Sequence, residues 1–268
     1  MNSVLTIAGS DSSGGAGIQA DIKTIESYGL FATSAITAIT AQNTCGVRAV
    51  QDIDAAVVAA QIDAVFEDIP PDAVKIGMVS SARIIAVIAE RLSFWGARNV
   101  VLDPVMVATS GARLIAEDAV TALREELLPL ATIVTPNIPE AEVLCDFSVE
   151  CDQDAERAAR TIASSIAGSV LVKGGHRTDA ADDLLVTGSG DAIWLRADRI
   201  DTRYAHGTGC TLSSAIACGL AQGDSIERSV RRAKGFVREA MSTGLDLGAG
   251  SGPLDHMWCH GKPHLPVS

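Results

Sequence analysis

Two glycine-rich turns and a row of polar strand ends carry the chemistry in this sequence. His206-Gly-Thr-Gly-Cys210 precedes a segment that sets Leu212, Ala215, Ile216, Gly219 and Leu220 on one helical face. A glycine-rich turn feeding a helix leaves backbone N–H groups free and places the positive end of the helix dipole there. That geometry suits a phosphate; the plainer alternative is a tight turn packing a buried helix. Cys210 falls in the first turn, where the dipole favours a thiolate, although a free cysteine is more often a small buried hydrophobe. The stretch Ser10-Asp11-Ser-Ser-Gly14-Gly15-Ala16-Gly17 is a second glycine-rich loop before a helix. It reads as a second phosphate cradle, a substrate lid or a flexible connection. Thr135-Pro136-Asn137-Ile-Pro139-Glu140 sets an amide and a carboxylate three residues apart. Pro139 suits a first helical position, so both fall near one helix start. Two oxygen ligands there suit Mg²⁺ held mostly by water and phosphate; the same spacing also fits an Asn cap with Glu three residues on.

These residues must be positioned by short apolar runs that alternate with helix-period segments. Val4–Ala8, Ala35–Ala41, Val74–Met78, Val100–Leu102, Thr132–Thr135 and Val170–Val172 read as strands. Helices are expected between them, among them Leu114–Leu128 and Ala155–Ile166, and the pair Thr211–Leu220 and Ile226–Met241 closes the chain. The rhythm argues an α/β fold, a mostly parallel sheet with helices on both faces. Asp183–Arg203 breaks it and reads as a hairpin around Gly188-Ser189-Gly190. Gly9-Ser10-Asp11, Gln42-Asn43, Asp103-Pro104, Pro136-Asn137 and Lys173-Gly174 all follow strands. The carboxyl ends of parallel strands converge on one edge, where ligands bind in open α/β sheets.

Composition narrows the classes. The chain has 268 residues, is 47% hydrophobic and carries a formal charge of −12. It is long enough for a sizeable core and too apolar to be disordered. The acidic balance gives no nucleic-acid footprint. No Walker A loop occurs, and the Gly207/Gly209 pair lacks the third glycine of a dinucleotide fingerprint. The six cysteines contain no C-x-x-C pair, which favours reduced thiols in a cytosolic protein. The N-terminal MNSVLTIAGSD has no signal-peptide character, and no apolar run is long enough for a membrane span. His256, His260 and His264 recur every four residues beside Cys259, but Gly261, Pro263 and Pro266 forbid a helix. A solvated tail is expected after Gly252.

Taken together, Val4–Asp21, Thr40-Ala-Gln-Asn-Thr44, Lys75-Ile-Gly-Met78, Asp103-Pro-Val105, Thr135–Glu142, Val172-Lys-Gly-Gly-His176 and His206–Cys210 resemble one family. It is the hydroxymethylpyrimidine/phosphomethylpyrimidine kinases of thiamine biosynthesis, within the ribokinase-like superfamily. The resemblance implies a three-layer α/β/α kinase domain over residues 1–255, a tail 256–268, and a cytoplasmic homodimer. It implies ATP- and Mg²⁺-dependent phosphorylation of an aminopyrimidine alcohol, then of its monophosphate, with ATP near the last two helices. Carried over residue by residue, Gln42 would read the ring's amino group and adjacent nitrogen. Asp21 would contact the hydroxymethyl side, and Gly9, Met78 and Val105 would lie against the ring. Cys210 would take the hydroxyl proton where most of the superfamily carries Asp. Gly207, Thr208 and Gly209 would hold phosphoryl charge, with Lys173 neutralising phosphate. Asp103, Asn137 and Glu140 would organise Mg²⁺. The rival readings are a pyridoxal or pyridoxine kinase and a non-catalytic sensor on the same fold.

Overall fold

The computed structural model describes residues 1–106, 116–175 and 181–260. Nine strands form one sheet in the order β3-β2-β1-β4-β5-β6-β7-β8-β9. They are β1 Ser3–Asp11, β2 Phe31–Asn43, β3 Gly46–Asp52, β4 Ala73–Ile76, β5 Val100–Leu102, β6 Ile133–Val134, β7 Ser169–Val172, β8 Asp183–Val186 and β9 Ala192–Leu195. From β2 to β7 all pairs are parallel. β3 adds antiparallel at one end and the β8–β9 hairpin at the other.

The apolar strands alternate faces as a two-residue period requires. Val4, Ala73, Val101, Ile133 and Leu171 pack under α1 Gly17–Ser27, α7 Thr208–Ala221 and α8 Ile226–Thr243. Leu5, Ile7, Val74, Ile76, Val100 and Leu102 face α2 Ala55–Asp68, α3 Ala82–Phe94 and α4 Glu117–Ala122. Val170, Val172 and Leu184 pack on α5 Ile138–Cys145 and α6 Asp152–Ala163. After β1 the chain crosses to β2 on one side; after β4 it continues to β5 on the other. The order reverses between β1 and β4, so α1 and α3 leave to opposite faces and open a crevice at the strand ends. Among the described residues no helix is long and apolar enough to cross a membrane.

Three elements differ from the sequence reading. β3 is exposed along most of its length, so it carries no apolar period to betray it. Of the expected helix Leu114–Leu128, residues 114 and 115 lie outside the described residues. The rest is α4, a wider π turn Leu123–Leu127 and a tight turn Leu128–Leu130. Buried Leu123, Leu127 and Leu128 anchor these turns by packing rather than by helix propensity. The solvated tail is corrected over its described part. His256 is 4% exposed and its Nε2 lies 2.9 Å from Thr211 Oγ1 on α7. Ser27 Oγ donates to the His256 carbonyl at 2.6 Å, and Trp258 packs its ring on Phe236 of α8. Spacing could not reveal this, because the hydrogen-bond partners of His256 are more than forty residues away. His176 and His264 lie outside the described residues.

Burial, helped by the charge of Lys23, lowers the His256 pKa to about 4. Below its ordinary pKa near 6.5 the unfolded chain takes up this proton while the folded chain resists until about 4. Folding stability is therefore expected to fall as pH drops from 6.5 toward 4, by up to about 1.4 kcal/mol per pH unit for one proton. His256→Gln is expected to flatten that slope. Urea denaturation at pH 5 and pH 7.5 measures it, and an equal slope in both proteins removes His256 as its source.

Candidate active site

The crevice at the carboxyl edge is a cavity of about 730 Å³. α7 aims its N-terminus into it. Gly207 caps that helix in the left-handed region (φ +85°), and a Cβ there would lie 1.9 Å from the Gly15 carbonyl oxygen. Only glycine permits this turn and this approach. No side chain caps α7. The Thr208 amide is taken by the Ala205 carbonyl at 3.3 Å. Of the expected donors Gly207, Thr208 and Gly209, only Thr208 is thus occupied, and the Cys210 amide adds to those left for an anion. Thr208 still lines the cavity with Gly207, Gly209 and Cys210.

Facing that turn is a compact charge cluster. Lys173 Nζ lies 2.7 Å from Asp103 Oδ1 and 4.0 Å from Glu140 Oε2. Thr135 Oγ1 donates to Asp103 at 3.2 Å and Ser213 Oγ at 3.4 Å. Burial alone would pull the Lys173 ammonium down, but Asp103 and Glu140 hold it above its ordinary range. Burial pushes Glu140 up to about 7; Lys173 opposes the rise and Asp103 adds to it. Asn137 and Glu140 form a complete capping box. Glu140 N donates to Asn137 Oδ1 at 2.9 Å and Asn137 N to Glu140 Oε2 at 2.8 Å. The cap engages the Asn137 oxygen through one N–H, and Asn137, expected to help organise Mg²⁺, lines the cavity with Glu140. Glu140 remains on the cavity wall beside Asp103. Among the described residues no group of three or more His, Cys, Asp and Glu side chains is set to hold a metal. The donor set fits only a cation that keeps water and phosphate oxygens as its other ligands.

Asp21 does not line the cavity, contrary to the expected substrate contact. It has no exposed surface and sits beneath α7. Both its oxygens take Lys75 Nζ, at 2.9 and 2.8 Å. Thr6 Oγ1 donates to it at 2.6 Å and Ser214 Oγ at 2.8 Å. Lys75 is equally buried and is registered opposite Thr6 across β1 and β4. Burial would lower its pKa, but Asp21, with Cys210 and Asp103 near, holds the ammonium charged. A lysine between Val74 and Ile76 in an apolar strand was the sequence signal for a buried pair, and its partner was not legible. Cys210 sits one helical turn before Ser214. The helix dipole was expected to favour its thiolate; instead burial raises its pKa to about 11, with Lys75 pulling down and Asp21 and Asp103 pushing up. Desolvation disfavours the charged thiolate here. At neutral pH Cys210 is a thiol.

At the other wall, Gly9 and Met78 meet at the ends of β1 and β4. A Cβ on Gly9 would strike Met78 Cε at 2.4 Å. Met78, Val105 and Gln42 line the same cavity. The loop after β1 is not slack. The Asp11 carboxylate accepts from Ser13 N at 2.8 Å, Ser13 Oγ at 2.8 Å, Gly15 N at 3.1 Å and Ala16 N at 2.8 Å. His206 Nε2 joins it at 2.9 Å. The pairing of Asp11 with His206 was not legible in the sequence.

Residues 11–255 match the sequence profile of the phosphomethylpyrimidine kinase family. The chain belongs to this family. It is 53% identical over 256 residues to a hydroxymethylpyrimidine/phosphomethylpyrimidine kinase of Rhizobium meliloti, covering 94% of this chain and 96% of that protein. A namesake from Streptomyces coelicolor is 47% identical, covering 97% and 96%. Among solved structures, the phosphomethylpyrimidine kinase of Clostridium difficile superposes with a TM-score of 0.80 at 47% identity, over 90% of this chain and 99% of that one. Bacillus subtilis pyridoxal kinase in complex with ADP superposes with a TM-score of 0.90 at 36% identity, over 98% and 100%. The sheet is that of a ribokinase-like kinase. In this kinase every candidate site residue named from the sequence except Asp21 borders the one cavity.

Lys75→Met is expected to destabilise the fold by about 3–5 kcal/mol, because it leaves Asp21 buried and unpaired. Adding Asp21→Asn should recover part of that loss. Urea denaturation measures both, and a single variant as stable as the parent denies the pair this role. Glu140 gives a second test. Its folded pKa lies above its unfolded one, so its effect on stability is lost as pH rises through about 7. Glu140→Gln keeps the capping acceptor without the buried charge. Its Tm relative to the parent is expected to rise between pH 5 and pH 8, and a constant difference would contradict the raised pKa.

Proposed function

We propose that this chain transfers the γ-phosphoryl group of ATP to 4-amino-5-hydroxymethyl-2-methylpyrimidine, and then phosphorylates the resulting monophosphate to the diphosphate. The observation that carries this reading is one cavity with an anion-binding helix turn, a half-buried lysine and a carboxamide over an apolar floor. Gln42 offers the acceptor and donor that match an amino group beside a ring nitrogen, as a carboxamide does with adenine. Met78 and Val105 supply the apolar contact to the ring. Phosphoryl transfer is mainly positioning and charge stabilisation. The amides of Gly209 and Cys210 hold charge on the transferred group, with Lys173 beside them. Nucleotide lies toward α8, where Lys234 Nζ meets Asp183 Oδ2 at 2.5 Å on the cavity wall. Asp103 and Glu140 would hold Mg²⁺ through water, and the ion would supply positive charge against the phosphates. The exposed β2–β3 edge, with Ile39 and Val50 uncovered, is the surface we assign to a homodimer. Six free cysteines accord with a cytoplasmic setting.

Cys210 acts on the first acceptor, a neutral alcohol. The resting thiol first releases its own proton to solvent; the thiolate then takes the hydroxymethyl proton as the bond from that oxygen to phosphorus forms and the bond to the ADP leaving group breaks. The second acceptor is a phosphate, already ionised near neutral pH, and needs no such help. Cys210→Ala is therefore expected to lower the single-turnover rate of the first step by about 10²-fold, the low end for general-base loss, and of the second by less. Equal losses would assign Cys210 to the anion hole instead. Lys173→Ala should slow both steps. A coupled assay with ATP and a panel of pyrimidine and pyridine alcohols tests the reading itself. The close likeness to a pyridoxal kinase makes pyridoxal the competitor to include, and turnover of pyridoxal alone would overturn the pyrimidine assignment.

A further inference from the structure

Asp11, His206 and Gln42 form a chain whose polarity bears on how the cavity reads a ring. His206 is 5% exposed. Its Nε2 lies 2.9 Å from Asp11 Oδ2, and the Gln42 carboxamide reaches the same nitrogen, through Nε2, at 3.2 Å. Asp11 also receives the amides of Ser13, Gly15 and Ala16 and the Ser13 hydroxyl. Burial would raise its pKa, but His206, Ser13 and Ala16 hold the carboxyl well below its ordinary range. An ionised carboxylate only accepts, so His206 Nε2 carries its proton toward Asp11. A ring nitrogen that donates has no lone pair for a second donor. The Gln42 nitrogen and the His206 nitrogen then confront each other as two donors. Turning the carboxamide over removes the conflict and gives the N–H a second acceptor, and the two ends of an amide have the same shape. The backbone of Gln42 does not move in this exchange. Ser12 Oγ accepts from its N–H at 2.8 Å and donates to its carbonyl at 2.6 Å.

We propose that Asp11 and His206 are positioning residues that hold the Gln42 carboxamide with its oxygen on His206 and its NH₂ group turned away, so that the cavity selects a 4-aminopyrimidine over its 4-oxo counterpart. The oxygen then accepts from the ring amino group on the His206 side, and the NH₂ donates to the adjacent ring nitrogen. A 4-oxo ring presents the reverse pair, a carbonyl and an N–H, and meets two mismatches. The inference rests on reading the cavity as a pyrimidine site.

The test compares kcat/KM for 4-amino-5-hydroxymethyl-2-methylpyrimidine and its 4-oxo analogue in the parent, His206→Phe and Asp11→Asn. The parent is expected to prefer the amino compound. His206→Phe frees the carboxamide, and the amino-to-oxo ratio is expected to fall about tenfold or more, the scale of one bidentate contact. Asp11→Asn can donate to His206 Nε2 and reverse the chain, so the ratio should fall there as well. A merely structural role would slow both compounds alike, and an unchanged ratio in both variants overturns the proposal. If neither variant folds, long-range ¹H–¹⁵N spectra of the parent decide. A proton on His206 Nε2 supports the assignment, and a bare Nε2 overturns it. A parent that phosphorylates neither pyrimidine refutes the reading of the site, while the spectra still judge the His206 assignment.

Discussion

A lysine and an aspartate, both without exposed surface, fix the geometry on which this kinase depends. Lys75 comes from β4, Asp21 from α1, and their hydroxyl partners from β1 and α7. Four elements, from β1 near the start of the chain to α7 near its end, are thereby tied at one point beneath the anion-binding turn. Two buried charges gain little net stability over a well-packed apolar pair. They do, however, admit one arrangement, because any slip of α7 along the sheet would strand Ser214 and leave Asp21 short of a donor. The turn that carries Gly209 and Cys210 inherits that precision.

Above this pair the cavity holds a second set of charges, and Cys210 lies between the two. Lys75 below favours its thiolate; Asp21 and Asp103 oppose it, and burial opposes it most. The site therefore keeps a protonated sulfur at rest. The same arrangement keeps Lys173 charged, since Asp103 and Glu140 outweigh its burial. A phosphoryl group entering here meets a fixed ammonium and open amides rather than a strong base. That balance suits a transfer in which charge stabilisation dominates over proton removal.

Close backbone contact completes the site. The Gly207 turn presses on Gly15, Gly15 on the His206 ring and Gly9 on Met78, and a Cβ at any of the three glycines would collide. The glycine-rich loop after β1 is thus a packed wall rather than a loose flap. Asp11 holds it by gathering its amides, and the same carboxylate reaches across to His206 at the foot of α7. Loop, ring-reading carboxamide and anion turn are joined through one side chain.

The parallel α/β architecture, the edge that carries the cavity and the polar strand ends along it were legible in the sequence. They follow from local rules: buried strands are short apolar runs, and ligand-bearing turns sit where those runs end. Glycine spacing in His206–Cys210 signalled the anion turn because only glycine meets its backbone demands. What the sequence could not settle was the state of polar groups once enclosed. Asp21 looks like any polar residue in the second turn of a helix, and becomes a buried counter-ion only because β4 brings Lys75 beneath it. Cys210 has the local position of a thiolate, yet desolvation in the folded site raises its pKa. His256 sits among residues that cannot form a helix, and is buried because α7 and α8 offer it a partner and a surface. β3 was silent because an exposed edge strand needs no apolar period. Periodicity and turn chemistry are properties of neighbours in the chain. Burial, charge state and hydrogen-bond polarity are set by neighbours in space, and only the folded arrangement supplies those.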